Sequence, residues 1–185
     1  MKKSYDYFKT LKFLSESVYV IYEKVLLKQD FSSDIIQLLA EKSELINNLQ
    51  NEFITPLERG DIFFLAESLT DQLNSIFSFS EYYNLISHNR TFPFENTNKA
   101  LQTQSIIISQ LAGFKSNLKL FEQCSEEVKK LNIEKKNIEK LIVNALKCKD
   151  EQPLVRYAVY SAYLELNRSI YKTILEVEKI LINNS

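Results

Sequence analysis

Apolar residues recur along this chain at steps of three and four. From Tyr5 onward they fall at Phe8, Leu11, Leu14, Val18, Ile21 and Val25, a single stripe of an α-helix. The run Lys28-Gln29-Asp30-Phe31-Ser32-Ser33-Asp34 breaks the stripe and offers Ser and Asp as N-caps for a second helix. That helix passes through Ile35, Leu38, Leu39, Ile46 and Leu49 to about Phe53. Thr55-Pro56-Leu57-Glu58 then reads as a start signal. Thr55 is placed to cap, Pro56 sits at the first helical position where its missing N–H costs nothing, and Glu58 can reach back in a capping box. The third helix carries Ile62, Leu65, Leu69, Leu73 and Ile76 on one face and runs to about His88.

The longest irregular piece, His88-Asn89-Arg90-Thr91-Phe92-Pro93-Phe94, marks a boundary between two halves. Beyond it a fourth helix is expected over 95–129, with Leu101, Ile108, Leu111, Leu118 and Phe121 inward and Gly113 marking a close helix contact or a bend. A fifth covers 133–149 with Ile138, Leu141, Ile142 and Leu146. Asp150-Glu151-Gln152-Pro153 stops the chain and restarts it, and a sixth helix runs from Leu154 to about Ile182. The expectation is an all-α, six-helix bundle, one domain over 1–185 built as two three-helix halves of about 1–90 and 91–185. Breaks are expected near 30–33, 54–56, 88–95, 130–132 and 150–152.

Composition agrees with long helices and few turns. Two glycines and three prolines in 185 residues are too few for a sandwich or barrel with frequent turns. Gly60 and Gly113 also cannot form a glycine-rich phosphate cradle, which excludes P-loop and dinucleotide fingerprints. A formal net charge of −1 lacks the basic footprint of a nucleic-acid binder. No apolar stretch reaches the roughly 18–20 uncharged residues of a membrane span, and the lysine-rich N-terminus does not read as a signal peptide. A cytoplasmic protein, peripheral to the membrane at most through a partner, is expected.

Candidate chemistry is sparse. The single histidine, His88, lies at a helix end, where a catalytic base would be poorly oriented. Together with Cys124 and Cys148 it is too scattered for a zinc site, and the two cysteines read as reduced thiols. Among carboxylates, Glu67 and Asp71 form one E-x-x-x-D pair, the spacing by which helices present acids to a metal, yet on the face away from Leu65, Leu69 and Leu73. Tyr157, Tyr160, Tyr163 and Tyr171 form a stripe that suits either the core or a protein interface.

The block Phe53-Ile54-Thr55-Pro56-Leu57-Glu58-Arg59-Gly60-Asp61-Ile62, continued by Leu65-Ala66-Glu67-Ser68-Leu69-Thr70-Asp71-Gln72-Leu73-Asn74, resembles the PhoU-related family of phosphate-transport regulators. That family reads approximately F-I-T-P-[LIF]-D-R-E-D-I and then L-A-x-x-L-D-D-x-x-D. Thr55, Pro56, Glu58, Arg59, Asp61 and Asp71 carry the match; elsewhere length and helix order agree, with a weaker likeness near Ile133-Glu134 and in the last helix. The resemblance implies two three-helix halves and, in metal-binding relatives, E/D-x-x-x-D motifs holding metal on the bundle surface.

Here those motifs are depleted. Thr70 and Asn74 stand at acidic positions, Ile36-Gln37-Leu38-Leu39 replaces an H-E-x-D-like motif, and Asn137 and Asn167 fall near positions where aspartate is expected. Asparagine keeps an oxygen but loses the charge a hard cation prefers. The implied protein is a non-enzymatic regulator or adaptor of inorganic phosphate transport with no cofactor and a degenerate metal site. Glu67 and Asp71 would bind at most one weakly held ion. Its partner would be a Pit-type phosphate permease at the cytoplasmic face, self-association remaining open. The alternative is a helical-bundle metal-binding protein that uses surface carboxylates.

Overall fold

Asp6 opens the first helix by accepting the backbone N–H of Lys9 at 3.0 Å, which satisfies one of the donors a helix start leaves orphaned. The computed structural model describes residues 5–52, 55–85, 95–116, 118–147 and 153–184. Among these residues there are six α-helices and no strand. They are α1 (Tyr7–Leu26), α2 (Ser32–Asn51), α3 (Arg59–Tyr83), α4 (Glu95–Ser109), α5 (Leu118–Lys147) and α6 (Pro153–Asn183), with a 3₁₀ segment at Leu111–Ser116. The protein is an all-α bundle.

Helices α1, α3, α6 and α4 close a ring of four, each packing on the next. Each half of the chain gives the ring its first and last helices and sets the middle one outside. Thus α2 lies against α1 and α3, and α5 lies mainly against α6 and also against α4. The expected stripes of α1 and α3 face the centre: Leu11, Leu14, Val18 and Ile21 from α1, and Ile62, Leu65, Leu69 and Ile76 from α3, are fully buried. Buried apolar residues of both halves form one continuous core. The outer α2 buries only Leu38, Leu45 and Leu49, leaving Leu39 43% exposed.

Turn chemistry departs from the expected pattern in three places. Lys28 takes φ 55°, and α1 ends with Lys28 N–H donating to the Val25 carbonyl and Gln29 N–H to the Lys24 carbonyl. That is a Schellman ending without glycine. Next, Phe31 rather than a Ser or Asp occupies the N-cap of α2. Asp30 instead accepts the backbone N–H and hydroxyl of Ser32, a local turn.

Thirdly, Thr55 does not cap α3. The helix begins at Arg59 with Glu58 as N-cap and no side-chain cap, so Pro56 lies in the preceding bend and no capping box forms. Thr55 Oγ1 donates to the Leu57 carbonyl at 2.6 Å, two residues on, because the buried Leu57 holds this segment in a turn. Asp6→Ala is therefore expected to cost about 1 kcal/mol, the usual loss for an N-cap. Thr55→Ala should cost less, at about 0.5 kcal/mol for one solvent-competed hydrogen bond. Urea unfolding of both variants checks this order, and a larger loss at Thr55 would reverse the assignment.

The expected break at 130–132 does not exist. Helix α5 runs unbroken for 30 residues, and the interruption falls earlier, between Ser109 and Leu118. Leu120, Cys124, Glu127, Leu131, Glu134 and Ile138 are all buried at helical spacing, so α6 holds one stripe straight through the lysine-rich stretch around 129–132. Gly113 marks the kink (φ −105°, ψ 20°), and a Cβ there would meet nothing within 4 Å. It is a bend and not a close helix contact. Leu118, expected inward, is 73% exposed at the start of α5. The helix joint expected at 88–95, apart from Glu95 at the start of α4, His88 itself, and the stop at 150–152 lie outside the described residues.

Candidate functional site

Glu67 and Asp71 do not act as a pair. Glu67 Oε1 meets Lys42 Nζ at 2.8 Å, a brace from α3 to α2. Asp71, one turn on, borders a shallow recess between α3 and α6 with Ser68, Glu165, Arg168 and Lys172. Thr70 turns its hydroxyl back to the Ala66 carbonyl. Among the described residues no group of three or more His, Cys, Asp or Glu side chains is placed to hold a metal ion.

The rest of the block that carries the resemblance builds a corner. Arg59 donates to the Glu52 carbonyl, while Glu52 Oε1 accepts the Tyr5 backbone N–H at 3.0 Å. Asp61, only 6% exposed in the first turn of α3, accepts from Asn184 Nδ2 at 3.2 Å and complements the positive end of the helix. Residues 55–61 thus tie the α2–α3 turn to the start of α1 and the end of α6. Phe53 and Ile54 lie outside the described residues.

Asn137 and Asn167 come together in a cleft of about 520 Å³ between α4, α5 and α6, lined also by Glu127, Glu134, Lys99 and Lys130. Its two carboxylates are 4% and 8% exposed. Glu134 is held by neutral donors, Asn96 Nδ2 at 2.9 Å and the Tyr163 hydroxyl at 3.3 Å, and Glu127 pairs with Lys130 at 3.5 Å. Burial holds the Glu127 carboxyl above its ordinary pKa, with Lys130 opposing the shift. The signal for this cleft was present in the sequence, since Glu127 and Glu134 fall on the stripe of Leu120, Cys124, Leu131 and Ile138, where acids are out of place.

Other candidates separate by environment. Tyr163 is fully buried beside Phe79, Tyr160 and Tyr171 pack on the core edge, and Tyr157 is 41% exposed, so the tyrosine stripe is core at one position and surface at another. Cys124 is buried, and that burial, assisted by Glu178, pushes its thiol up to about 12. It is therefore protonated and unreactive near neutrality. Cys148 lies outside the described residues.

A longer groove of about 710 Å³ runs along α3 and α6 and reaches α5. Asn74, Ser78 and Tyr82 line it from α3, Ile142 from α5, and Tyr157, Ala158, Ser161 and Leu164 from α6. The alanines and serines leave the depression, and the exposed rings of Tyr82 and Tyr157 stand beside it. Arg168 and Glu165 give its far end both charges. No described helix is long and apolar enough to cross a membrane. No protein-family model and no curated protein matches this chain.

Proposed function

We propose that this protein is a non-enzymatic helical regulator of inorganic phosphate transport, acting by seating a partner segment in the α3–α6 groove. The observation that carries the reading is that groove, with half-exposed Tyr82 and Tyr157 bordering a floor of small residues and Ile142. Tyrosines that offer an apolar ring and a polar tip are favoured anchors at protein interfaces. A helix laid in such a groove would present apolar residues at steps of three and four. The resemblance of residues 53–74 to the PhoU-related regulators supplies the partner class, the cytoplasmic face of a Pit-type phosphate permease.

The test is co-purification with a Pit-type permease in detergent and phosphate uptake by proteoliposomes containing both. Wild-type protein is expected to bind the permease and change the uptake rate. The Tyr82→Ser/Tyr157→Ser variant keeps the core intact and should weaken binding at least about tenfold, as for loss of aromatic anchors. Unchanged uptake and no association would refute the reading, and association unaffected by the double variant would move the contact off this groove.

A further inference from the structure

A separate recess of about 250 Å³ lies between α5 and α6, lined by Leu131, Asn132, Lys135, Arg168, Tyr171 and Lys172 and bordered by Asn167. Three of these side chains are cationic and none is acidic, whereas the other described recesses carry both signs. Arg168 and Lys172 are four residues apart on one face of α6, an arrangement that disfavours itself by like-charge repulsion. Lys135 faces them from α5.

Local compensation is uneven, close for Arg168 and weak for the two lysines. Lys172 makes no ion pair among the described residues, although with Arg168 it also borders the neighbouring recess that holds Asp71 and Glu165. Lys135 reaches Glu139 only at 3.9 Å across an exposed pair, and Arg168 is paired with Glu165 on its own helix. Beside the recess, the 2% exposed Asn167 has a buried Nδ2 with no acceptor, a group that ordinarily finds one. Asn167 stands between this recess and the cleft of Glu127 and Glu134.

We propose that this recess binds a small phosphate-class oxyanion through Arg168, Lys172 and Lys135. A guanidinium fork takes two oxygens of such an anion, the ammonium groups supply charge, and Tyr171 and Asn132 are polar groups at its margin. The volume admits inorganic phosphate or the head of a phosphomonoester. Glu139 and Glu165 flank the cations and disfavour an extended polyanion such as nucleic acid. Arg168 is shared with the docking groove, whereas Lys135 and Lys172 are not part of that groove's lining and so distinguish the two sites.

The experiment is a ¹⁵N NMR titration of the whole protein at low ionic strength with inorganic phosphate and, separately, with glycerol 3-phosphate. Sodium chloride at matched ionic strength is the reference. Saturable shifts are expected around Lys135, Arg168, Tyr171 and Lys172 and in the Asn167 side-chain amide. Tighter binding of one ligand identifies free phosphate or an organic phosphate as the source. Lys172→Gln should weaken binding about tenfold, as for loss of one charge-assisted contact. Lys179→Gln, on the same helix and paired with Glu176, should not. Shifts that chloride reproduces, no saturation with either phosphate, or equal weakening by both variants would overturn the proposal. Because permease binding can be measured in phosphate-free buffer, failure here is distinguishable from failure of the docking reading.

Discussion

Phe79→Ala is expected to lower the unfolding free energy by about 3–5 kcal/mol, the range for truncating a fully buried phenylalanine. Phe79 is 0% exposed and sits where three ring helices meet. Its ring lies 5.9 Å from that of Tyr22 on α1, 6.2 Å from that of Tyr163 on α6, and stacks on Tyr83 at 5.3 Å. Truncation leaves a void among large aromatic side chains that cannot all move into it, and also removes ring–ring contacts. For a chain of this size the loss corresponds to a fall in Tm of roughly 6–20 °C. Phe64→Ala is the matched control, since that ring is 54% exposed and its ring contacts are peripheral, an edge-on contact with the neighbouring Phe63 and Lys179 at 5.7 Å. Its change should stay within about 1 kcal/mol. Equal losses for the two variants would mean that Phe79 is not at the packing centre.

Gln72→Leu is expected to cost about 2–4 kcal/mol, although it puts an apolar residue into an apolar core. Gln72 and Gln104 are both 0% exposed and exchange two hydrogen bonds across the bundle, at 2.7 and 3.0 Å. Gln72 Nε2 also donates to Thr173 Oγ1 at 2.6 Å. Thr173 gives its one proton to the Ser169 carbonyl, so the 2.6 Å contact with Ser68 must be donated by Ser68. One connected network thus spans α3, α4 and α6. Leucine at position 72 leaves both ends of the Gln104 amide buried without a partner, each costing about 1–3 kcal/mol. Adding Gln104→Leu removes the orphaned groups, so the double variant should be more stable than Gln72→Leu alone. A double-mutant cycle in urea measures this. Strict additivity of the two single changes would show that the glutamines do not interact.

The network illustrates how much could be read in advance. Gln72 lies three residues after Leu69, and Gln104 three after Leu101, so both stand on core stripes where a polar residue is a signal. What could not be read was that the two meet. They are 32 positions apart, and their contact exists only because α3 and α4 both border the ring. The same holds for Glu134, whose partners Asn96 and Tyr163 arrive from two other helices, whereas the Glu127–Lys130 pair is local to α5.

The basic recess shows the limit most plainly. Arg168 and Lys172 are neighbours by helical spacing alone, but Lys135 joins them only through the pairing of α5 with α6. Likewise, the Thr55-Pro56-Leu57-Glu58 pattern suits a helix start, and local chemistry could have begun one there. Burial of Leu57 turned the segment into a bend and moved the first helical residue to Arg59.

By itself, the sequence determined the helical class and the inward faces of α1 and α3, because apolar periodicity is a local property that each segment carries alone. Only the tertiary structure decided that residues 118–147 form one helix and that the chain bends at Gly113. In isolation the lysine-rich turn around 129–132 is weakly marked, and it becomes continuous helix when α6 buries Leu131 on one side of it. The tertiary structure also decided which polar side chains on the stripes would be buried together, since burying a polar group is tolerable only where another helix brings its partner.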